Sequence, residues 1–318
     1  MTLQQLEYVV ALDIHKNFVL AAESCGVTQP TLSAMLHKLE EELGVIIFER
    51  GRRTVTATPI GTKIIRQARE AVREAHKIKE IVSDEIGSLK GLLRIGIVPT
   101  VAPYIVPEFI MHFTNLYPEV ELQIQEMKST ALYEELLKGK IDMAIASAPE
   151  AMDDILEIPL YKERFYAYFS EKCMAQCPSA PSMMINGMFS LEMMDRNYMW
   201  ILQEGHCMST GDLSFCMDNS AENSMYKAGS ITTLVRIVDQ NGGFTIIPQM
   251  HVNLLNEQQK QNVHPLAEGN DASREISILL KSDFIRERLV NAVVDVIKKI
   301  IPSPMMAPGL SKGAIRLL

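Results

Sequence analysis

The sequence predicts an α/β protein in three parts: an N-terminal winged helix-turn-helix head, a long linker helix and a two-lobed α/β body. Residues 1–60 carry three short helical patterns, then a strand, a basic turn and a second strand, which is typical of a winged helix-turn-helix. Residues 61–88 are polar, with apolar positions at helical spacing. In residues 91–301 strand and helix patterns alternate, and the βαβαβ succession of residues 92–146 indicates a parallel sheet with right-handed crossovers.

The charge of the chain is unevenly distributed. The formal net charge is −8, yet residues 1–90 hold equal numbers of basic and acidic side chains, so the whole excess of acid lies in the remainder. A neutral head with local basic residues is compatible with DNA binding through the head alone. The hydrophobic content of 47% over 318 residues is that of a globular protein with two or three domains.

Two features bear on location. No apolar run reaches the roughly 18 residues that a membrane span needs, and the N-terminus, MTLQQLEYVV, lacks the basic and apolar regions of a signal peptide. We therefore expect a cytoplasmic protein, where cysteines stay reduced unless they are catalytic or redox-sensing. Five cysteines are an odd number and do not favour a structural disulfide framework.

The third helical pattern of the head has clear ends. Thr28 is a good N-cap, Pro30 falls in the first turn and Gly44 follows the last turn, which predicts a helix over residues 29–43. Periodicity alone would also suit a small helical bundle. The outward face of this helix is polar and comprises Gln29, Thr31, Ser33, His37 and Lys38.

A predicted wing favours the DNA-binding alternative. Residues 45–50 and 54–58 suggest two strands, and the turn between them carries Arg52 and Arg53, where phosphate contact would be made. The candidate DNA-binding residues are Gln29, Pro30, Thr31, Ser33, Lys38, Arg50, Arg52 and Arg53.

The linker, residues 61–88, shows the spacing of a coiled-coil seam, which favours a dimerisation helix. A helix that packs along its own domain would show a similar pattern, so both alternatives stand. Gly87, Ser88 and Gly91 then predict a hinge. The apolar positions of the seam are Ile64, Ala68, Ala71, Ala75, Ile78 and Val82.

The body, residues 91–301, is predicted to form two lobes with a cleft between them. Lobe I takes about residues 91–165 and 275–301, and lobe II about residues 166–274. Thr100 and Ser129 follow predicted strands at helix N-termini, where hydroxyls and free N–H groups can hold a small polar ligand. Residues 302–318, with three prolines and two glycines, are expected to form a weakly ordered tail.

The stretch QEGHCMSTGDLSFC contains Cys207 and Cys216, with His206 directly before the first cysteine. In one unbroken helix the two Cα atoms would lie about 13 Å apart, whereas a disulfide needs them within about 7 Å. The sulfurs can bond only if the segment is not helical or refolds, so the pair is a candidate switch. Taken singly, each cysteine is more often an inert core residue, and His206 a structural one.

A set of head residues stands at a spacing shared with one known family: Phe18, Ala21, Ala22, Gln29, Pro30, Thr31, Leu32, Ser33, Leu39, Glu40, Leu43, Gly44, Phe48, Arg50, Arg53 and Gly61. At these positions the chain resembles LysR-type transcriptional regulators, and the likeness continues through the linker and the body. The resemblance implies a periplasmic-binding-protein-like regulatory domain, double-stranded DNA and RNA polymerase as partners, and a homotetramer. The heptads by themselves support only a dimer.

Within that family, GHC followed by FC nine positions after the cysteine is similar to the members that sense hydrogen peroxide. The resemblance implies that Cys207 is the peroxidatic cysteine and Cys216 the resolving one. It also implies a transcription activator of oxidative-stress defence genes, reset by a cellular dithiol reductant. The residues that it assigns to the peroxide pocket are Thr100, Ser129, His206 and Arg274.

Two positions depart from the family pattern. Ser129 stands where the family has threonine, which keeps the hydroxyl, although Thr130 could compete for the role. Thr210 stands where the family has aspartate, and Asp212 is the nearest acid. The second departure puts in doubt a proton relay through that position.

Three functions remain open at this point: a peroxide-responsive regulator, a regulator that binds a small organic inducer in the cleft, and a thiol peroxidase. A peroxidase needs neither the DNA-binding head nor the dimer helix. Cys173 and Cys177 could suggest zinc together with Cys207 or His206, but their spacing lacks a clear second ligand pair. We expect no metal, no cofactor and no enzymatic role.

Overall fold

The computed structural model describes residues 1–50, 55–86, 89–148, 154–170, 172–173, 177–202, 228–267 and 272–310. The chain divides into two compact units, Met1–Ser88 and Leu89–Leu318. Several residues singled out in the sequence lie outside the described ranges, namely Arg52, Arg53, His206, Cys207, Thr210, Asp212 and Cys216.

The first unit is a three-helix head with a wing and a long fourth helix. Its elements are α1 (Leu3–His15), α2 (Phe18–Ser24), α3 (Gln29–Leu43), β1 (Phe48–Arg50), β2 (Val55–Ala57) and α4 (Pro59–Ile86). Side-chain oxygens of Thr2, Asn17 and Thr28 accept backbone N–H groups at the starts of α1, α2 and α3. Gly44 ends α3 in a left-handed conformation with φ +67°.

A buried carboxylate fastens the wing to α3. Glu40 is 9% exposed, and its Oε1 accepts the N–H groups of Ile47 at 2.7 Å and Phe48 at 3.2 Å. Strand β1 pairs with β2 in antiparallel register. A Cβ at Gly61 would lie 2.0 Å from the Ile47 carbonyl oxygen, so only glycine fits where α4 leaves the wing.

The long helix α4 has two differing halves. Ile65 and Ala68 are buried against the head core, and Arg69 donates to Asp13 at the end of α1. Farther along, Ile78 is 66% exposed. The first half of the predicted heptad seam therefore packs on its own head, and only the later part leaves an apolar side chain uncovered within the described residues.

The second unit is built on a seven-stranded mixed sheet. Its strands are β3 (Gly91–Ile97), β4 (Val120–Glu126), β5 (Met143–Ala146), β6 (Ile155–Phe169), β9 (Phe244–Pro248), β10 (Val263–Pro265) and β11 (Ser273–Lys281), beside a small hairpin of β7 (Met184–Ile185) and β8 (Met188–Phe189). The strand order is β10-β6-β11-β5-β3-β4, and β9 also pairs with β6. Its helices are α5 (Ala102–Leu116), α6 (Ser129–Leu137), α7 (Ala180–Met183), α8 (Ile231–Asn241), α9 (Glu257–Lys260) and α10 (Glu287–Ile300).

The buried apolar residues of this unit form one cluster in lobe I and two in lobe II. In lobe I, β3 pairs in parallel with β4 and β5, and α5 and α10 supply further apolar side chains. In lobe II, the second half of β6 packs with β9. Strand β6 crosses between the lobes, since Leu160 belongs to the first core and Phe169 to the second. The predicted fold class is confirmed.

The start of the C-terminal segment is packed on lobe I. The N–H of Ala307 donates to the carbonyl of Leu160 at 2.9 Å, and Met305 and Leu310 are buried. The expectation of a weakly ordered tail gave too much weight to the prolines and too little to the apolar residues between them. Residues 311–318 lie outside the described ranges. Among the helices that the structure describes, none is long and apolar enough to cross a bilayer.

Candidate functional site

A buried ion pair joins the two strands that cross between the lobes. Arg274 on β11 lies opposite Glu163 on β6 in the antiparallel register. The guanidinium donates from Nε and from Nη2 to Oε1 of Glu163, each at 2.8 Å, and neither side chain is exposed. The second carboxylate oxygen accepts the N–H of Met250 at 3.1 Å. Every charged atom of the pair is thus fixed by a hydrogen bond, as a buried charge requires.

The same guanidinium reaches the end of β3 in lobe I. Arg274 Nη1 donates to Thr100 Oγ1 at 2.7 Å, and Nη2 donates to the Thr100 carbonyl at 3.1 Å. Nη2 also donates to the Tyr104 hydroxyl at 2.8 Å, and that hydroxyl donates to the Thr100 carbonyl. Thr100 and Arg274, predicted as pocket residues from distant parts of the sequence, are therefore in direct contact.

Two buried serine hydroxyls of lobe I have no hydrogen-bond partner among the described residues: those of Ser129 and Ser147. Ser129 begins α6, and Ser147 directly follows β5, with its carbonyl held by Tyr133 of α6 at 2.8 Å. An unpaired buried hydroxyl is costly and indicates a place where a small polar molecule can bind. Thr130 is exposed, so Ser129 is the better candidate of the two neighbours.

The titratable groups around the ion pair are neutral near pH 7. Burial raises the pKa of the Tyr104 and Tyr161 hydroxyls above the ordinary value. Burial also lowers the pKa of His251, next to Met250, to about 4. Among the described residues that face the pair, Arg274 and Glu163 therefore carry the charges, and these two charges cancel. From its chemistry alone Arg274 is the best cation to stabilise a Cys207 thiolate, because a guanidinium stays charged; the structure pairs that cation with Glu163.

Sequence reasoning missed Glu163. Its signal is the alternation of β6, in which Tyr161, Glu163, Phe165 and Ala167 share a buried face. A carboxylate in such a row needs a buried partner, which the structure supplies in Arg274. The Phe165 ring adds to the site, with its centroid 5.7 Å from the Arg274 Cζ atom.

The candidate DNA-binding face lies on α3. Gln29, Pro30, Thr31 and Lys38 are exposed and Ser33 is partly exposed, as expected for an outward helix face. The Thr31 hydroxyl also contacts the Thr28 hydroxyl at 2.8 Å. A groove of about 1060 Å³ runs beside this face, bounded by α3 and the start of the wing. Arg50 pairs through its backbone with Val55, which places it in the wing.

The second cysteine pair belongs to the core of lobe II. Cys173 and Cys177 are buried, and the Cys177 N–H donates to the Cys173 carbonyl at 2.8 Å. Burial, with the neighbouring thiol, raises the pKa of Cys173 to about 11, so its thiolate is disfavoured. Within the described ranges, no group of three or more metal-ligating side chains could hold a metal ion; Cys207 and His206 lie outside them.

Family comparisons assign both parts of the chain. Residues 3–62 match the family described as bacterial regulatory helix-turn-helix protein, lysR family. Residues 87–301 match the family described as LysR substrate binding domain. The chain belongs to the LysR family of transcriptional regulators.

Curated relatives narrow the group to the OxyR type. The hydrogen peroxide-inducible genes activator of Haemophilus influenzae is 34% identical over 310 residues, which cover 95% of this chain and 99% of the relative. The DNA-binding transcriptional dual regulator OxyR of Escherichia coli is 34% identical over 254 residues, covering 79% of this chain and 80% of that protein.

Solved structures agree with this placement. A full-length OxyR variant from Pseudomonas aeruginosa superposes with a TM-score of 0.72 at 29% identity, covering 94% of this chain and 98% of that one. A hydrogen peroxide-bound OxyR mutant from Corynebacterium glutamicum superposes with a TM-score of 0.55 at 27% identity, covering 94% and 92%. The predicted resemblance to LysR-type regulators and to OxyR is confirmed.

Proposed function

We propose that this regulator senses hydrogen peroxide through a reversible disulfide between Cys207 and Cys216 and controls oxidative-stress defence genes. The observation that carries the proposal is the buried contact of Arg274 with Thr100 in a chain of the OxyR type. The unpaired, buried Ser129 hydroxyl of the same lobe supports it. The peroxide-bound OxyR relative supports the choice of ligand.

The chemistry proceeds in two steps. The Cys207 thiolate attacks one peroxide oxygen, the O–O bond breaks, and the other oxygen leaves as hydroxide that takes a proton to become water. Cys207 is then a sulfenic acid. The Cys216 thiolate attacks its sulfur, the S–S bond forms, and a second hydroxide leaves and is protonated to water. A cellular dithiol returns both thiols.

The pocket residues are proposed to bind peroxide through hydrogen bonds of fixed direction. Thr100 Oγ1 accepts a hydrogen bond from Arg274, so its own O–H proton is left to donate to peroxide. The Ser129 hydroxyl is available to donate to the departing oxygen, where charge develops. His206 completes the proposed pocket next to Cys207. These donors would position the peroxide and stabilise the transition state.

The DNA-binding role is proposed for the head. The exposed side of α3 would enter the major groove, and the wing-tip Arg52 and Arg53 would contact phosphates. Residues 61–88 would pair two subunits and so space two heads, with a homotetramer as the full assembly. Forming the disulfide would remodel residues 207–216 and change how the regulatory bodies pair. RNA polymerase is the proposed partner for activation, and the cytoplasm the proposed location.

A second candidate function is a regulator that binds a small organic inducer in the cleft. The unpaired hydroxyls of Ser129 and Ser147 favour it, because both could bind a polar ligand larger than peroxide. A thiol peroxidase is the third candidate, and it would show sustained peroxide turnover with a dithiol.

The substitution Cys207→Ser separates these candidates. We expect DNA footprints of the unaltered protein to change after peroxide and to return after a dithiol. The Cys207→Ser variant should keep the reduced-state footprint under peroxide. A Cys173→Ser variant is the matched control, because Cys173 is buried in lobe II and should leave the response intact. A Cys207→Ser variant that still changes its footprint with peroxide would overturn the proposal.

A further inference from the structure

We infer that Glu163 is a positioning residue of the peroxide pocket: its carboxylate fixes Arg274 and cancels the arginine charge, so that Arg274 acts on Thr100 as a directional donor. The inference rests on the proposed function, because it concerns the reactivity of Cys207. Arg274 would then act by orienting the Thr100 hydroxyl, and not by stabilising the Cys207 thiolate with its positive charge.

The geometry of Glu163 supports a positioning role. Its Oε1 accepts from Arg274 Nε and Nη2 at 2.8 Å, and the Tyr104 hydroxyl lies 3.5 Å from the same oxygen. Its Oε2 accepts the Met250 N–H at 3.1 Å. One carboxylate therefore links β11, α5 and the segment after β9. This leaves Arg274 Nη1 directed at the Thr100 hydroxyl at 2.7 Å.

Among the described residues that face the ion pair, no other charged side chain could replace Glu163. On α5 the pair contacts Tyr104, and on β6 Tyr161 lies close enough to interact electrostatically with both charges. After β9 the pair contacts the backbone of Met250, the neighbour of His251. Burial keeps these three groups neutral near pH 7. Lys162 and Arg164, the neighbours of Glu163 on β6, are exposed on the other face of the strand.

Removing the carboxylate charge should make the pocket more cationic. In Glu163→Gln the local charge rises from zero to +1, which favours the Cys207 thiolate and lowers the pKa of that thiol by about one unit. At a pH below the Cys207 pKa of both the unaltered protein and the variant, the thiolate fraction is about tenfold higher in the variant. A thiolate of lower pKa is also a weaker nucleophile, so the net gain in alkylation rate is about threefold. Above both pKa values the same variant should react about threefold more slowly.

The experiment measures iodoacetamide alkylation of Cys207 between pH 5 and 10 in the full-length reduced protein. Peptide mass spectrometry follows Cys207 separately from the other cysteines. Glu157→Gln is the matched control, because Glu157 lies on the same strand, is exposed, and accepts from the Ser277 hydroxyl at 2.6 Å. It should leave the pH profile of Cys207 unchanged. Glu163→Asp keeps the charge and should stay close to the unaltered protein.

A double-variant cycle covers the case in which Glu163→Gln does not fold. Arg274→Gln leaves a local charge of −1 and should raise the Cys207 pKa, whereas Arg274→Gln with Glu163→Gln restores a neutral pocket. The pKa of Cys207 should therefore be about one unit lower in the double variant than in Arg274→Gln alone. If the pH profile of Cys207 is the same in Arg274→Gln and in the double variant, the inference is overturned.

The inference and the proposed function fail in different ways. If the unaltered protein forms no Cys207–Cys216 disulfide with peroxide, the proposed function is wrong. If that disulfide forms, but Glu163→Gln slows Cys207 equally at every pH, Glu163 is only a structural residue. If the disulfide forms, and the pH profile of Cys207 alkylation shifts to lower pH in Glu163→Gln, both the proposed function and the inference stand.

Discussion

The head and the pocket arrange their polar groups in opposite ways. On α3, Gln29 and Lys38 are exposed to solvent. In the pocket, Arg274 and Glu163 are fully buried, and each is held by hydrogen bonds to several elements. A long polyanion is bound by exposed cations whose effect falls with salt. A small neutral oxidant instead needs donors that are fixed in direction and shielded from water.

The largest effect is expected at the buried ion pair. Arg274→Met would leave Glu163 buried without its cation, which should lower the free energy of unfolding by about 3–5 kcal/mol. Urea denaturation of the reduced protein measures the loss.

The matched control for this prediction is Arg94→Met. Arg94 pairs with Asp142 at 2.8 Å, but its side chain is 37% exposed. Its removal should cost about 1 kcal/mol or less, because water screens a pair at the surface. Equal losses in both variants would contradict the assignment of Arg274 to a dry site.

A smaller effect is expected at the wing. Replacing Arg52 and Arg53 together by alanine should weaken DNA binding about tenfold or more at moderate salt, similarly for specific and unspecific sequences. The slope of log affinity against log salt should become shallower by about two, because two phosphate contacts are lost. Fluorescence anisotropy on a DNA duplex over a salt series measures both quantities.

A surface lysine of the body serves as the control for the wing. Lys138 is 53% exposed and paired with Glu134 on α6. Lys138→Ala removes a positive charge from the protein without touching the head, so the slope should stay unchanged. A double wing variant whose slope equals that of Lys138→Ala would show that the wing is wrongly placed.

The parts of the fold that local sequence patterns determine were predictable. Thr28, Pro30 and Gly44 define α3, and the structure has that helix at Gln29–Leu43. Alternating patterns likewise predicted the succession of β3, α5, β4, α6 and β5, because each element carries its own periodicity.

Features that depend on distant residues were harder to predict. The heptad of α4 did not reveal that Ala68 is buried against its own head, since both alternatives need the same spacing. The apolar run at residues 198–202 also predicts a strand, but Tyr198 ends a short 3-10 helix (Arg196–Tyr198), and Met199 and Leu202 form isolated bridges with Phe244 and Ala228. The apolar residues there indicate burial, but the local sequence does not show which other segment of the chain would pair with them as a strand.

The candidate site shows the same division. Thr100 and Arg274 were found through resemblance to a family, and the structure brings them together. Glu163 was missed because no local pattern states which buried cation it meets across the sheet. A buried carboxylate in an apolar row is the signal that could have found it.

The central claim is tested most directly by mapping thiols before and after a brief, stoichiometric pulse of hydrogen peroxide. The predicted result is a new Cys207–Cys216 disulfide, while Cys173 and Cys177 stay reduced because they are buried and the pKa of Cys173 is about 11. Recovery of Cys207 and Cys216 as free thiols after the pulse would contradict the account.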